Sequence, residues 1–116
     1  MVVLAVLAAM WGCVLAAAHP GDSDIDRWFE RQHSVANLSC CGVGDGRTLE
    51  DNQWRIRGTD YEVQIDGAWL RVARPDYLRD NQADPNPTHH AVVWTTVDTT
   101  QPGGVRIWCF TPGPLT

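Results

Sequence analysis

The stretch that most constrains the fold runs from residue 61 to residue 72, YEVQIDGAWLRV, and predicts a β-hairpin closed by Asp66 and Gly67. An Asp-Gly pair between alternating runs is a strong hairpin signal, because the tight turn needs positive φ angles that glycine adopts at little cost. One face of the predicted register is apolar, pairing Ile65 with Ala68, Val63 with Leu70 and Tyr61 with Val72. The other face pairs Gln64 with Trp69, and Glu62 with Arg71 as an expected ion pair.

The chain begins with an uncharged apolar run over residues 2–18 that ends in three alanines. This pattern predicts a signal peptide, residues 1–18, cleaved after Ala18. An uncleaved membrane anchor is the alternative, although a full span needs about 20 apolar residues. Residues 19–116 are then a single small exported domain, periplasmic or extracellular, without stable membrane insertion after cleavage.

The formal net charge is −5, and the acidic residues are scattered along the chain. No stripe of basic residues is present to hold a phosphate backbone, so we expect no nucleic-acid partner.

Three cysteines follow the predicted cleavage point, Cys40, Cys41 and Cys109. An oxidising compartment favours at least one disulfide, and we expect it to join Cys109 to either Cys40 or Cys41. An odd number leaves one thiol free, pairs it with another chain, or allows a bridge between the adjacent cysteines. The adjacent pair also suggests a thiol or redox protein as an alternative function.

The region before the hairpin predicts one helix over residues 23–33, in which Ile25, Trp28 and Phe29 form an apolar stripe for packing on a sheet. Residues 34–52 are glycine-rich and are interpreted as a loop. A first strand is expected at residues 54–58.

Two runs rich in β-branched and aromatic residues, 91–97 and 105–111, predict a second hairpin. Simple alternation places Val105, Ile107 and Cys109 on one side of the last strand. We therefore expect an α+β fold, with a short N-terminal helix packed on a small antiparallel β-sheet of about five strands and stapled by a disulfide.

Several short motifs occur in a fixed order: Trp28-Phe29, Ser39-Cys40-Cys41, Asp66-Gly67-Ala68-Trp69, Val72 to Pro75, and Ile107 to Pro112. This set resembles a family of small exported proteins of alphaproteobacteria, and sometimes of their phages, that has no assigned function. The resemblance spans most of residues 28–112 and implies export, but it supplies no catalytic residues. Members of that family often carry two further cysteines, at positions near Gly46 and Trp94 here, which this chain lacks.

The histidines suggest one candidate metal site. Cleavage after Ala18 would place His19 at the N-terminus, where its amine and imidazole can chelate one ion, and His89 or His90 would add a nitrogen. Such a ligand set suits Cu(II), so a copper-binding protein is an alternative function.

Tryptophans suggest a binding surface. Trp69 is expected on the face of the hairpin opposite its apolar side, and Trp94 and Trp108 on paired strands. Exposed tryptophans often anchor partners, here an unknown protein or an envelope or glycan ligand, although the same rings can fill a small core.

No sequence motif for hydrolytic catalysis is present. We therefore expect a non-enzymatic binding or structural module without a cofactor.

Overall fold

The computed structural model describes residues 23–79 and 84–114. The predicted signal peptide and His19 lie outside these ranges, so the cleavage site and the N-terminal copper ligand stay predictions. The described chain contains two helices, α1 (Ser23–Arg31) and α2 (Cys40–Val43), and six strands, β1 (Asp45–Leu49), β2 (Trp54–Arg57), β3 (Asp60–Ile65), β4 (Ala68–Arg71), β5 (Ala91–Val97) and β6 (Val105–Thr111). Within these residues, no helix is both long and apolar enough to cross a membrane.

The strands form two antiparallel three-stranded sheets, ordered β1-β5-β6 and β2-β3-β4. The α+β class and the short N-terminal helix agree with the sequence, whereas the division into two sheets differs from the single sheet expected. The reason lies in β5, whose first four residues are all buried. Ala91 and Val93 belong to the core between the two sheets, while Val92 and Trp94 belong to the core beneath the helices. The β1-β5-β6 sheet is therefore the middle of three layers.

The central hairpin has the predicted register, with Ile65 opposite Ala68 and Glu62 opposite Arg71. The expected ion pair is wrong, however. The carboxylate of Glu62 accepts a hydrogen bond from Arg55 of β2 at 2.7 Å. Arg71 instead donates a hydrogen bond to the carboxylate of Asp60 at 3.0 Å. A third strand beside the hairpin offers Glu62 a partner that a two-stranded hairpin does not contain.

Strand β1 and the short helix α2 lie where the sequence predicted a loop. Gly46 of β1 pairs with Trp94 of β5, and a Cβ atom at this position would lie only 2.6 Å from the Phe29 ring. The glycine is thus needed for the helix ring to lie against the sheet. A short glycine-containing strand carries no alternating apolar pattern, which is why the sequence did not reveal it.

A β-bulge changes the faces of β6. Trp94 pairs with Cys109 and Thr95 pairs with Ile107, so Trp108 is an extra residue in the ladder. Ile107 therefore packs on the core between the sheets, whereas Cys109 is buried in the core beneath the helices. The predicted common face for Ile107 and Cys109 is wrong because strict alternation does not continue across a bulge.

The disulfide joins Cys40 of α2 to Cys109 of β6. Its existence and its β6 partner were predicted, and the structure selects Cys40 from the adjacent pair, which excludes a Cys40–Cys41 bridge. None of the three cysteines in the described ranges is a free thiol. The free thiol that the odd number of cysteines allowed is therefore not present in these ranges.

Candidate functional site

A cleft of about 400 Å³ lies where the outer edges of β4 and β6 face each other. On the other side of the molecule the two sheets are joined by the chain itself, which runs from β1 through a 3-10 turn at Asp51–Gln53 into β2. At the β4 and β6 edges no strand pairing joins the two sheets. The cleft is lined by Trp69, Leu70, Arg71, Ala73, Asp76, Gln101, Pro102, Val105, Arg106 and Ile107.

The walls of the cleft differ between its inner and outer sides. Leu70, Val105 and Ile107 pack against the core between the sheets. Arg71 and Arg106 alternate with these residues along their strands, and both are exposed. Because neighbouring side chains point to opposite faces of a strand, the cleft has an apolar inner side and a cationic outer side.

One carboxyl group, Asp76, lies among the lining residues, in the 3-10 turn Arg74–Asp76. Burial raises the pKa of this carboxyl above its ordinary value, and the positive charge of Arg106 partly opposes the rise. A half-buried carboxyl with a perturbed pKa, set among apolar groups and two arginines, is typical of a ligand-binding cleft.

The structure separates the three tryptophans predicted to form a binding surface. Trp94 is 0% exposed and lies in the core beneath the helices, with its ring centroid 5.3 Å from that of Phe29. Trp69 is half-buried and lines the cleft, with the guanidinium carbon of Arg55 3.8 Å from its ring centroid. Of the three tryptophans in the predicted surface, Trp69 and Trp108 are therefore partly exposed and Trp94 is not.

Trp108 reaches the cleft only indirectly. Its ring lies beneath Arg106, whose guanidinium carbon is 3.8 Å from the ring centroid. The indole Nε1 donates a hydrogen bond to Oγ1 of Thr96 at 2.9 Å. These two contacts hold Trp108 in place, and Trp108 in turn supports an arginine of the cleft.

Within the residues that the structure describes, the predicted ligands His89 and His90 do not lie in a group of metal-binding side chains. His89 is exposed, in a left-handed conformation with φ 62°, while the backbone of its neighbour His90 is tied to Asn86 and Thr88. Among the described residues, no group of three or more histidine, cysteine, aspartate or glutamate side chains is arranged to hold a metal ion.

A larger cleft of about 640 Å³ lies beside α1, and its lining includes Trp28, Tyr61, Tyr77 and Phe110. Its lining also includes Asp84, the first described residue after residues 80–83. The β4–β6 cleft, in contrast, is bounded by regular strands and turns, and we take it as the candidate site.

Of the residues that line the candidate cleft, the sequence analysis had singled out Trp69 but not Asp76, Arg71 or Arg106. The alternation of β4 and β6 does place both arginines on outward faces, which was the available signal. Nothing in the sequence indicates that the edges of two separate hairpins meet.

Comparison of the chain with protein-family models, with curated proteins and with solved structures gave no match.

Proposed function

We propose that this chain is a small non-enzymatic binding module of the cell envelope or exterior, and that the cleft between β4 and β6 is its binding site. The observation that supports the proposal is the combination of apolar walls, a half-buried carboxyl and two exposed arginines in one cleft. Ligand sites are typically concave and largely apolar, with few polar groups that fix orientation.

The chemistry of the lining residues favours binding over catalysis. Among its described lining residues, the cleft has one carboxyl group, that of Asp76, and no serine, cysteine, histidine or lysine. A nucleophile paired with a base, or two carboxyl groups acting as acid and base, would be expected of a hydrolytic centre. We therefore assign the cleft to recognition.

Export is part of this proposal. A disulfide between Cys40 and Cys109 is typical of proteins that fold in an oxidising compartment. The apolar run at residues 2–18 and the resemblance to small exported proteins support the same location. The copper and thiol alternatives stay predictions without a supporting contact among the described residues.

The proposal is tested by screening the purified domain against two kinds of probe, solubilised peptidoglycan fragments and a random linear peptide library displayed on phage. Wild-type protein is compared with Ile107→Asp, which places a charge on the apolar side of the cleft, and with Val35→Asp, which changes an exposed valine far from it in sequence. Circular dichroism and thermal melting establish that each variant is folded.

We expect a ligand from one of the two classes to bind wild type and Val35→Asp equally and to lose affinity for Ile107→Asp. If neither class binds, or if the ligand binds Ile107→Asp as well as wild type, the assignment of this cleft is wrong.

A further inference from the structure

The cleft contacts three consecutive residues of each bordering strand, Trp69 to Arg71 of β4 and Val105 to Ile107 of β6. Side chains alternate between the two faces of a strand, so a cleft on one face would contact only every second residue. Contact with consecutive residues shows that the cleft runs along the strand edges. Both edges are free of strand pairing over these residues, since β4 and β6 are each the last strand of their sheet.

Chain segments border the cleft near both of its ends. At one end, Gly103 of the 3-10 turn Pro102–Gly104 lies against Leu70, with a hypothetical Cβ 3.1 Å from the leucine Cδ1. Towards the other end, the N–H of Leu78 donates to the carbonyl of Phe110 on β6 at 2.7 Å. An occupant therefore has room for a few residues of extended chain, because three residues of a strand span about 10 Å.

The two sides of the cleft suit an extended peptide whose side chains alternate between apolar and acidic. An extended chain lying between the edges would direct alternate side chains inward to Leu70, Val105 and Ile107, and the others outward to the guanidinium groups of Arg71 and Arg106. The inward positions suit apolar side chains. The outward positions suit acidic side chains, because Arg106 and Arg71 carry the positive charge of the outer side, although Arg71 also donates a hydrogen bond to Asp60 at 3.0 Å.

We infer that the cleft binds an extended acidic peptide segment of a partner protein, with alternating apolar and acidic residues, which adds a strand between β4 and β6. This inference rests on the proposed function and names its ligand class. The added strand would join the two sheets into one continuous sheet, and its backbone groups would pair with edges that are otherwise unpaired.

The test uses the short peptide Gly-Val-Glu-Val-Glu-Val-Gly, with blocked ends, titrated into the full domain by isothermal calorimetry and by two-dimensional NMR. Three peptides of matched length serve as controls: one with glutamine for glutamate, one with lysine for glutamate, and one in which the same residues are reordered so that the two glutamates are adjacent. Two further peptides carry N-methyl groups on the valines only or on the glutamates only, because alternate N–H groups of a strand point to opposite edges.

We expect the alternating acidic peptide to bind at least about tenfold more tightly than the glutamine, lysine and reordered peptides. Shifts of amide signals should concentrate in residues 69–71 and 105–107. Both N-methylated peptides should bind at least about tenfold more weakly, because each loses pairing with one edge.

Protein variants test the charge requirement independently. Arg106→Glu should weaken binding at least about tenfold, whereas Arg47→Glu, which makes the same charge change on the exposed side of β1, should not. If Arg106→Glu fails to fold, Arg71→Gln replaces it, since that side chain is 64% exposed.

No binding of the acidic peptide up to about 1 mM, or equal binding of all the control peptides, would overturn the inference. Binding of peptidoglycan fragments alone in this cleft, or a dimer of the domain formed through these edges, would also overturn it. Either of the last two results identifies a different occupant, and a peptidoglycan ligand in particular would leave the proposed binding function standing.

Discussion

Gly46 shows how strongly one residue can control the packing of this small domain. Its missing side chain admits the Phe29 ring to the surface of the middle sheet, where Phe29 packs with Trp28 at a centroid distance of 5.3 Å and with Trp94 at the same distance. These rings are all buried. Aromatic rings make up much of the apolar area of the helix-side core, so their approach to the strand matters for the free energy of unfolding.

Replacing Gly46 with alanine should destabilise the domain by about 1 to 3 kcal/mol, because the new Cβ would overlap the Phe29 ring and the indole nitrogen of Trp94. The free energy of unfolding is measured by urea titration. Gly42→Ala serves as the control, since Gly42 lies in α2, where the nearest atom to a new Cβ is 3.3 Å away. Equal stability of Gly46→Ala and wild type would contradict the packing described.

Asp84 is a second residue with several contacts, and it ties the segment before β5 to helix α1. Its carboxylate accepts from Arg31 at 2.7 and 3.1 Å and from Gln32 at 3.1 Å, and its carbonyl accepts from the indole of Trp28 at 3.0 Å. The hydrogen bond from Arg31 is the main cause that lowers the pKa of the Asp84 carboxyl below its ordinary value of 3.8. The charged form of Asp84 therefore stabilises the folded state.

Because the folded-state pKa of Asp84 is lowered, the charged carboxylate should stabilise the folded state fully well above pH 3.8. This stabilisation should disappear as the pH falls below that value. We expect Asp84→Asn to be less stable than wild type near pH 6, with the difference shrinking as the pH is lowered towards 3. Urea unfolding at several pH values measures this. Asp24→Asn is the control, because that side chain is 91% exposed and pairs with Arg27 only at 3.6 Å. A difference for Asp84→Asn that is independent of pH would contradict the role of its charge.

Among the elements, α2 and β6 are joined covalently across the helix-side core. The Cys40–Cys109 disulfide closes a loop with a sequence separation of 69, and both cysteines are fully buried. Cross-linking residues so far apart restricts the unfolded chain, and in the chain-entropy account the effect grows slowly with loop length. The disulfide therefore contributes to the free energy of unfolding by restricting the unfolded chain.

The double variant Cys40→Ala with Cys109→Ala should lose about 4 kcal/mol of unfolding free energy. Each single variant should lose nearly as much as the double variant, because either substitution removes the same bond. Guanidinium unfolding of the three variants measures the effect. A loss below about 1 kcal/mol in the double variant would show that the bridge contributes little to stability.

For the whole molecule, the three-layer arrangement makes β5 the most protected element. Its residues Ala91 to Trp94 are all 0% exposed, with the helices on one side and the second sheet on the other. In contrast, β2 is an edge strand whose Ile56 is 50% exposed. Local stability therefore differs between these two strands.

Native-state hydrogen exchange should show the slowest amide exchange in β5 and distinctly faster exchange in β2, since opening β5 requires both cores to separate. The measurement is made by NMR, residue by residue. If the amides of β5 exchange as fast as those of β2, the middle sheet is not the most protected part of the fold.

Several features of the fold follow from local sequence patterns. The Asp66-Gly67 turn and the alternating residues around it were sufficient for the hairpin and its register, because turn geometry and the apolar face agree on one pairing. The α1 stripe of Trp28 and Phe29 predicted a helix packed on a sheet, and the cysteine content predicted a disulfide from Cys109 to either Cys40 or Cys41.

Other features required the tertiary structure. Strand β1 has no alternating apolar pattern of its own. It lies in the sheet because Gly46 leaves room for the Phe29 ring of α1 and the Trp94 ring of β5. The bulge at Trp108 reverses the faces of β6, which alternation along one strand cannot show. The candidate site is the extreme case, because the edges of β4 and β6 approach only when two sheets bury their apolar faces against each other. The sequence alone therefore determined the hairpins, whose interactions are local, and the tertiary structure decided the cleft, whose walls come from segments far apart in the chain.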